Sequence, residues 1–242
     1  MGTILRTADP RWPTVKTRTS LIATVGLSVS MALAGCTNLN NKTDEQSYDV
    51  TEQVKTLTID ARAAAVTVQA GDGAIKVTET YHYSNDRPRT SHEVSGTELR
   101  LTESGCASDE LRCNVEFSVR VPAATTVNIT ARAGAVSLAD LTSDITVITD
   151  AGAVEGKGLA GDRVSVKTDA GATSLQFSEP PASVEASTEL GAISLKVPSG
   201  TAYAVDVSTA AGGSDIRVQQ DAKSPYKISL RTNVGGIRVE NA

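Results

Sequence analysis

Aromatic side chains are scarce: one Trp, five Tyr and two Phe, 3% of 242 residues. A core with so few rings has to be built from Val, Ile, Leu and Ala, which suits a thin stacked architecture better than a sandwich of bulky residues. Histidine occurs only as His82 and His92, and neither belongs to a set with metal-ligand spacing. There is no Walker-type loop and no Gly-x-Ser-x-Gly element. The convergent carboxylates of sugar-cleaving enzymes are not evident either, so no enzyme and no cofactor are expected. Basic residues are the minority, 23 against 28 acidic for a net charge of −5, which argues against a nucleic-acid partner.

What the chain does have is a repeat. Thr149-Asp150-Ala151-Gly152-Ala153 returns as Thr168-Asp169-Ala170-Gly171-Ala172. Weaker copies follow at Thr188 with Gly191, Thr209 with Gly212 and Thr232 with Gly235, and upstream at Ala131-Arg132-Ala133-Gly134-Ala135. Ala61-Arg62-Ala63-Ala64-Ala65 is a further copy without its glycine. The glycine spacing grows from 18 to 23 residues, the signature of stacked coils. Period-two apolar segments flank each copy, such as Val164-x-Val166 before it and Ile193-x-Leu195 after it, and these read as half-buried strands. Two short strands joined by a small corner cannot bury an apolar face alone, whereas stacked copies can. The expected fold is all-β, a parallel β-solenoid with repeats of about 20 residues.

Alternation also places Thr149, Thr168, Thr188, Thr209 and Thr232 inward, as a column whose hydroxyls are expected to satisfy backbone groups at the bend. Gly152, Gly171, Gly191, Gly212 and Gly235 are the matching corner glycines. Leu141 and Leu159, each seven residues past its glycine, are expected to plug the far end of the interior. Asp150, Asp169 and Glu189 follow the column threonines in three consecutive repeats, a candidate calcium edge if they share a cation.

Three further segments complete the plan. Residues 1–35 carry Arg6, Arg11, Lys16 and Arg18 ahead of an apolar run at 21–33, and Leu33-Ala34-Gly35-Cys36 has the form of a bacterial lipobox. The expectation is a cleaved lipoprotein signal peptide, lipidation at Cys36, and a mature protein anchored on the extracytoplasmic face of the cell membrane. Cleavage removes those four bases and Asp9, leaving 19 basic against 27 acidic residues, a charge of −8. The polar stretch 36–53 reads as a tether and 54–242 as the solenoid domain. Within the domain, 71–121 break the repeat with longer alternating runs, expected as an antiparallel insertion or cap. Tyr81, Tyr83 and Phe117 gather there, as a small capping core or an aromatic ligand patch. Cys106 and Cys113, beyond the lipidation site in an exported chain, imply a disulfide, with a metal site the weaker alternative.

Several of these residues carry a family resemblance. Val121-Pro122 followed by Thr125-x-Val127-x-Ile129, the recurrent Thr-x-x-Gly corner, and Val197-Pro198-Ser199-Gly200-Thr201-Ala202-Tyr203 together resemble the bacterial putative-adhesin family, a β-solenoid domain of unknown function. The resemblance covers roughly 54–242 and implies an envelope location and adhesion, with no catalytic residues to carry over. Ala153 and Ala172 stand where such proteins often have an acidic residue after the corner glycine. The functional expectation is a non-enzymatic binding module with an envelope polysaccharide or a membrane protein as partner. The competing readings are a regulatory or structural accessory of a membrane protein and a polysaccharide-acting enzyme.

Overall fold

The computed structural model describes residues 41–107 and 112–242, and the alternating segments form eighteen strands among them. The expected signal peptide and Cys36 lie outside the described residues. In chain order β1 (Lys42–Val50) precedes β2 (Thr56–Ala70), one long strand that bends from a first sheet into a second. Next come β3 (Ile75–Tyr83), β4 (Thr90–Ser95), β5 (Glu98–Glu103) and β6 (Cys113–Val121). Then each coil supplies one strand to each sheet: β7 (Thr126–Ala133) with β8 (Val136–Ala139), β9 (Ile145–Ala151) with β10 (Val154–Leu159), and β11 (Arg163–Ala170) with β12 (Thr173–Phe177). The last three are β13 (Ser183–Leu190) with β14 (Ile193–Val197), β15 (Ala204–Ala211) with β16 (Ser214–Ile216), and β17 (Lys227–Val234) with β18 (Ile237–Asn241).

The chain is a parallel β-solenoid, but its coils do not stack in chain order. The first sheet runs β4-β5-β2-β7-β9-β11-β13-β17-β15 and the second β1-β3-β6-β2-β8-β10-β12-β14-β18-β16. The final coil is therefore slotted between its two predecessors, and the first coil lies inside the one formed by β5 and β6. Apolar content accounts for the exchange at the C-terminal end. Ile228, Leu230, Ile237 and Val239 of the last coil are fully buried, whereas Val205, Val207 and Ile216 of the coil it displaces to the edge are only half-buried. The more apolar coil takes the better-covered position.

Two segments differ from the sequence expectation. The strands at 98–103 and 113–121 are not antiparallel additions; they run parallel to β2 and form a coil of their own. Among the described residues only β1, β3 and β4 pair antiparallel to their neighbours in the stack, and they cover its N-terminal end. Nor is 36–53 wholly a tether, because β1 pairs with β3 along its whole length, from Lys42 opposite Tyr83 to Val50 opposite Ile75. Its alternation, with Tyr48 and Val50 on the covered side, is masked in sequence by polar partners at Asp44 and Gln46. Leu141 and Leu159 are buried as expected.

The corner glycines form a continuous spine. A Cβ on Gly152 would overlap the carbonyl oxygen of Gly134, and the same relation links Gly171 to Gly152, Gly191 to Gly171, Gly235 to Gly191 and Gly212 to Gly235. Each glycine thus turns a Cα hydrogen onto the neighbouring coil's carbonyl, a contact that no side chain can share. The spine also traces the exchanged order of the last two coils.

The threonine column is real in register, running Thr149, Thr168, Thr188, Thr232, Thr209 through the stack. Its hydrogen bonding only partly follows the expectation. Thr188, Thr232 and Thr209 donate to the carbonyls of Gly171, Gly191 and Gly235 at 3.3, 3.0 and 3.0 Å. The buried hydroxyls of Thr149 and Thr168 find no protein partner. A buried hydroxyl without a partner destabilises, and a bonded one stabilises by about 1 kcal/mol. Thr232→Val is therefore expected to lower stability by about 1 kcal/mol, while Thr168→Val raises it or leaves it unchanged. Urea unfolding of the two variants checks this, and an equal loss at both positions would contradict the assigned bonds.

A candidate binding cleft at the antiparallel cap

At the N-terminal end of the stack the two sheets part. β1 and β3 extend the second sheet, β4 extends the first, and the 84–89 segment crosses between them. Between them lies an open, shallow cleft of about 680 Å³ lined by Gln46, Glu79, Tyr81, Arg87, Arg89 and His92 among others. By contrast, the outer faces of the coils carry ion pairs between neighbouring residues and rungs, such as Arg163 with Asp144 at 2.7 Å and Arg231 with Asp206 at 2.9 Å.

The floor of the cleft is built around Glu79, which β3 points inward in the same phase as Ile75, Val77 and Tyr81. It is 2% exposed, and its carboxylate is held by hydroxyl donors from three strands. Tyr48 of β1 donates to Oε1 at 2.7 Å, Thr90 of β4 donates to Oε2 at 2.7 Å, and Tyr81 donates to Oε2. A carboxylate removed from water requires such donors, so this network clasps both lips of the cleft onto β3. Over the floor, the Arg87 guanidinium lies on the Tyr81 ring at 3.7 Å from its centroid and donates to Gln46 at 3.3 Å. His92 stacks on Tyr48 with centroids 4.3 Å apart. Arg87, Arg89 and His92 are exposed at the rim. The site thus presents two guanidinium groups and an imidazole above a carboxylate already saturated by its own fold.

The environment of Glu79 raises the tyrosine pKa values. Burial, then the hydrogen bond to Glu79, pushes the Tyr48 hydroxyl well above the usual phenol range, and Tyr81 moves the same way for the same reasons in the same order. With the folded values raised, the native state keeps protons that unfolded tyrosines release from about pH 10 upward. The contribution is complete below that pH and is lost above it. Unfolding measured at pH 9 to 12, taken as an order-of-magnitude window about the phenol pKa, should show stability falling more steeply in the parent than in Tyr48→Phe. Parallel slopes would contradict the network.

The residues singled out from the sequence fall elsewhere. Cys106 and Cys113 are joined by a disulfide that closes the corner of the β5–β6 coil, where the coils from β7 onward have glycine. Beside it Glu103, 2% exposed, accepts from the backbone amides of Arg62 and Ala63, both at 2.9 Å, and from that of Gly105. Asp150, Asp169 and Glu189 do occupy successive rungs, flanked by Thr149–Thr168–Thr188 on one side and Ala151–Ala170–Leu190 on the other. Yet Glu189 is turned to the Asn233 amide, and among the described residues no three His, Cys, Asp or Glu side chains converge to hold a metal. Asp150, Asp169 and Glu189 stand exposed as a ladder of like charges, not as a converged set of ligands. His82 faces outward on β3, 3.0 Å from Glu116. Sequence reading missed Glu79, Thr90, Arg87 and Glu103. The available signal was a glutamate in the inward phase of an alternating strand, at 79 after Ile75-x-Val77 and at 103 after Leu99-x-Leu101.

Comparison with known proteins gives the fold a context. A “putative cell adhesion protein” from Clostridium sporogenes is 14% identical with a TM-score of 0.55, the match covering 83% of this chain and all of the other. A “putative adhesin” from Bacteroides fragilis is 15% identical with a TM-score of 0.46, covering 83% of this chain and 97% of the other. At such identity the first likeness speaks for the fold alone. Comparison with curated proteins finds no match. The family model for Toastrack DUF4097 matches residues 56–240, all the coils and the antiparallel β3 and β4 but not β1, and the chain belongs to that family.

Proposed function

We propose that this chain is a non-enzymatic binding module, held on the extracytoplasmic face of the membrane by lipid on Cys36, and that it takes an acidic envelope polymer into the cap cleft. The observation that carries the reading is the pairing of Arg87 and Arg89 with His92 on the rim of a concave, partly aromatic site. Guanidinium groups bind carboxylates with two parallel hydrogen bonds. The mature charge of −8 would repel an acidic polymer elsewhere on the surface, so the cleft is where such a ligand can dock. Glycosidic cleavage would need two carboxylates flanking the bond, and Glu79, the one carboxylate lining the cleft, is committed to three hydroxyl donors. The family likeness to proteins described as adhesins supports binding as the function class.

Two variants in the producing bacterium test the two halves of the proposal. Cys36→Ser is expected to leave the membrane fraction or to remain uncleaved. Arg87→Ala/Arg89→Ala stays in the membrane fraction but retains at least about tenfold less acidic polysaccharide on detergent-solubilised, immobilised protein. Unchanged fractionation of the first would overturn the anchor, and unchanged retention by the second would overturn the cleft.

A further inference from the structure

The walls of the cleft belong to different sheets. One wall is β4 on β5, in the first sheet, and the other is β1 on β3 on β6, in the second. The chain crosses from wall to wall twice at this corner. The upper crossing is the 84–89 segment, which runs from Tyr83 to Thr90 and carries Arg87 and Arg89. The lower is the link from Glu103 to Cys113. Register stacks the second under the first, with Cys113 opposite Tyr83 and Glu103 opposite Thr90.

The two crossings touch. The Arg89 amide donates to the Gly105 carbonyl and the Ser104 amide to the Arg89 carbonyl, both at 3.0 Å. The Cys106 Sγ lies 3.0 Å from the Asp86 carbonyl oxygen. From β7 onward each glycine corner takes two residues, whereas nine residues, 104–112, part β5 from β6. A link of that length sets no distance of its own. The disulfide does, because Cys106 continues the β4–β5 wall and Cys113 heads β6 on the other, with Cα atoms 6.0 Å apart.

From this arrangement we infer that the Cys106–Cys113 disulfide is a redox clamp on the cleft, a regulation that rests on the cleft reading above. Oxidised, it fixes the spacing of the walls and seats the 84–89 segment, so that Arg87 lies over Tyr81. Reduced, it frees Cys106 from the second wall, the segment loses its footing, and the site loses affinity for its acidic ligand. Both cysteines are half-buried beside exposed Ser104 and Ala107, within reach of a protein dithiol. A thiolate of that dithiol attacks one sulfur and the S–S bond breaks to a mixed disulfide, which the second thiol resolves. Two electrons and two protons pass to Cys106 and Cys113, and the reductant leaves as a disulfide. The coil itself survives the step, because Glu103 still holds the Arg62 and Ala63 amides and β6 remains paired with β2 and β3.

The test reads the cap first without a ligand. Full chain labelled with fluorotyrosine reports from both ends of the stack, through Tyr48, Tyr81 and Tyr83 in the cap and Tyr203 and Tyr226 at the far end. Dithiothreitol should move the cap fluorine signals and leave those of Tyr203 and Tyr226 in place. It should also lower affinity for trigalacturonate at least about tenfold, as for loss of a seated guanidinium. Oxidised glutathione should restore both, and Cys106→Ser/Cys113→Ser should match the reduced parent and ignore both reagents. Unmoved cap signals, a collapse of all five signals together, or unchanged affinity on reduction would overturn the clamp. An oxidised parent that binds no trigalacturonate would overturn the cleft reading instead, and the cap signals would still decide whether the disulfide sets the walls.

Discussion

Gly171→Ala is expected to lower stability by at least about 3 kcal/mol, the upper range for forcing atoms into a packed interior. Gly171 is the middle of the glycine spine, and an added Cβ would overlap the Gly152 carbonyl oxygen. That oxygen belongs to backbone fixed on both sides of the corner, where the Gly152 and Val154 amides donate to the next coil at 2.9 Å each. No side chain can swing aside, so the coils must separate and lose ladder bonds. The control is Gly213, whose Cβ would meet nothing within 4 Å, and Gly213→Ala should be nearly neutral. Thermal or denaturant unfolding of the pair distinguishes spacing from composition. Similar effects at both positions would contradict close stacking at the spine.

Glu103→Ala should be the second severe substitution, lowering stability by about 2–4 kcal/mol. In the interior a corner amide such as that of Gly171 is met by a carbonyl of the adjacent coil, here Leu190. At the β2 corner, facing the β5–β6 coil, the side-chain carboxylate of Glu103 takes over that duty for Arg62 and Ala63. Removing it leaves three amides, those of Arg62, Ala63 and Gly105, without this acceptor beside the disulfide-closed loop. Glu103→Gln, which keeps one acceptor oxygen, should fall between. A fall in the urea midpoint at constant slope is the expected result, and an unchanged midpoint would refute the capping role.

How far the sequence reaches can be judged from these residues. The Thr-x-x-Gly corners, the inward column and the buried Leu141 and Leu159 follow from a period of about 20 and from alternation, both local properties. The order of coils does not follow, because β13 offers the same parallel edge to β15 and to β17. The choice depends on comparing Ile228 and Leu230 with Val205 and Val207, a competition between distant segments. β5 and β6 were misjudged as antiparallel for a related reason. Nothing in Leu99-x-Leu101 or Val115-x-Phe117 fixes strand direction, and the disulfide loop hides the corner that a glycine would have revealed. The cleft was the least legible part. It is assembled from β1, β3, β4 and a crossing loop, and its key residue is a glutamate whose partners lie 31 and 11 positions away. An inward-phase carboxylate marks such a place in sequence, but only the fold supplies its donors.

The most direct measurement is a titration of the protein with a short acidic oligosaccharide such as trigalacturonate, followed by calorimetry and by backbone amide shifts. The expected result is saturable binding with shifts confined to Gln46, Arg87, Arg89 and His92 and their neighbours, weakened at least about tenfold in Arg87→Ala/Arg89→Ala. Absence of binding, or shifts spread over the outer sheet faces and unaltered in the double variant, would contradict a cleft that recognises acidic sugars.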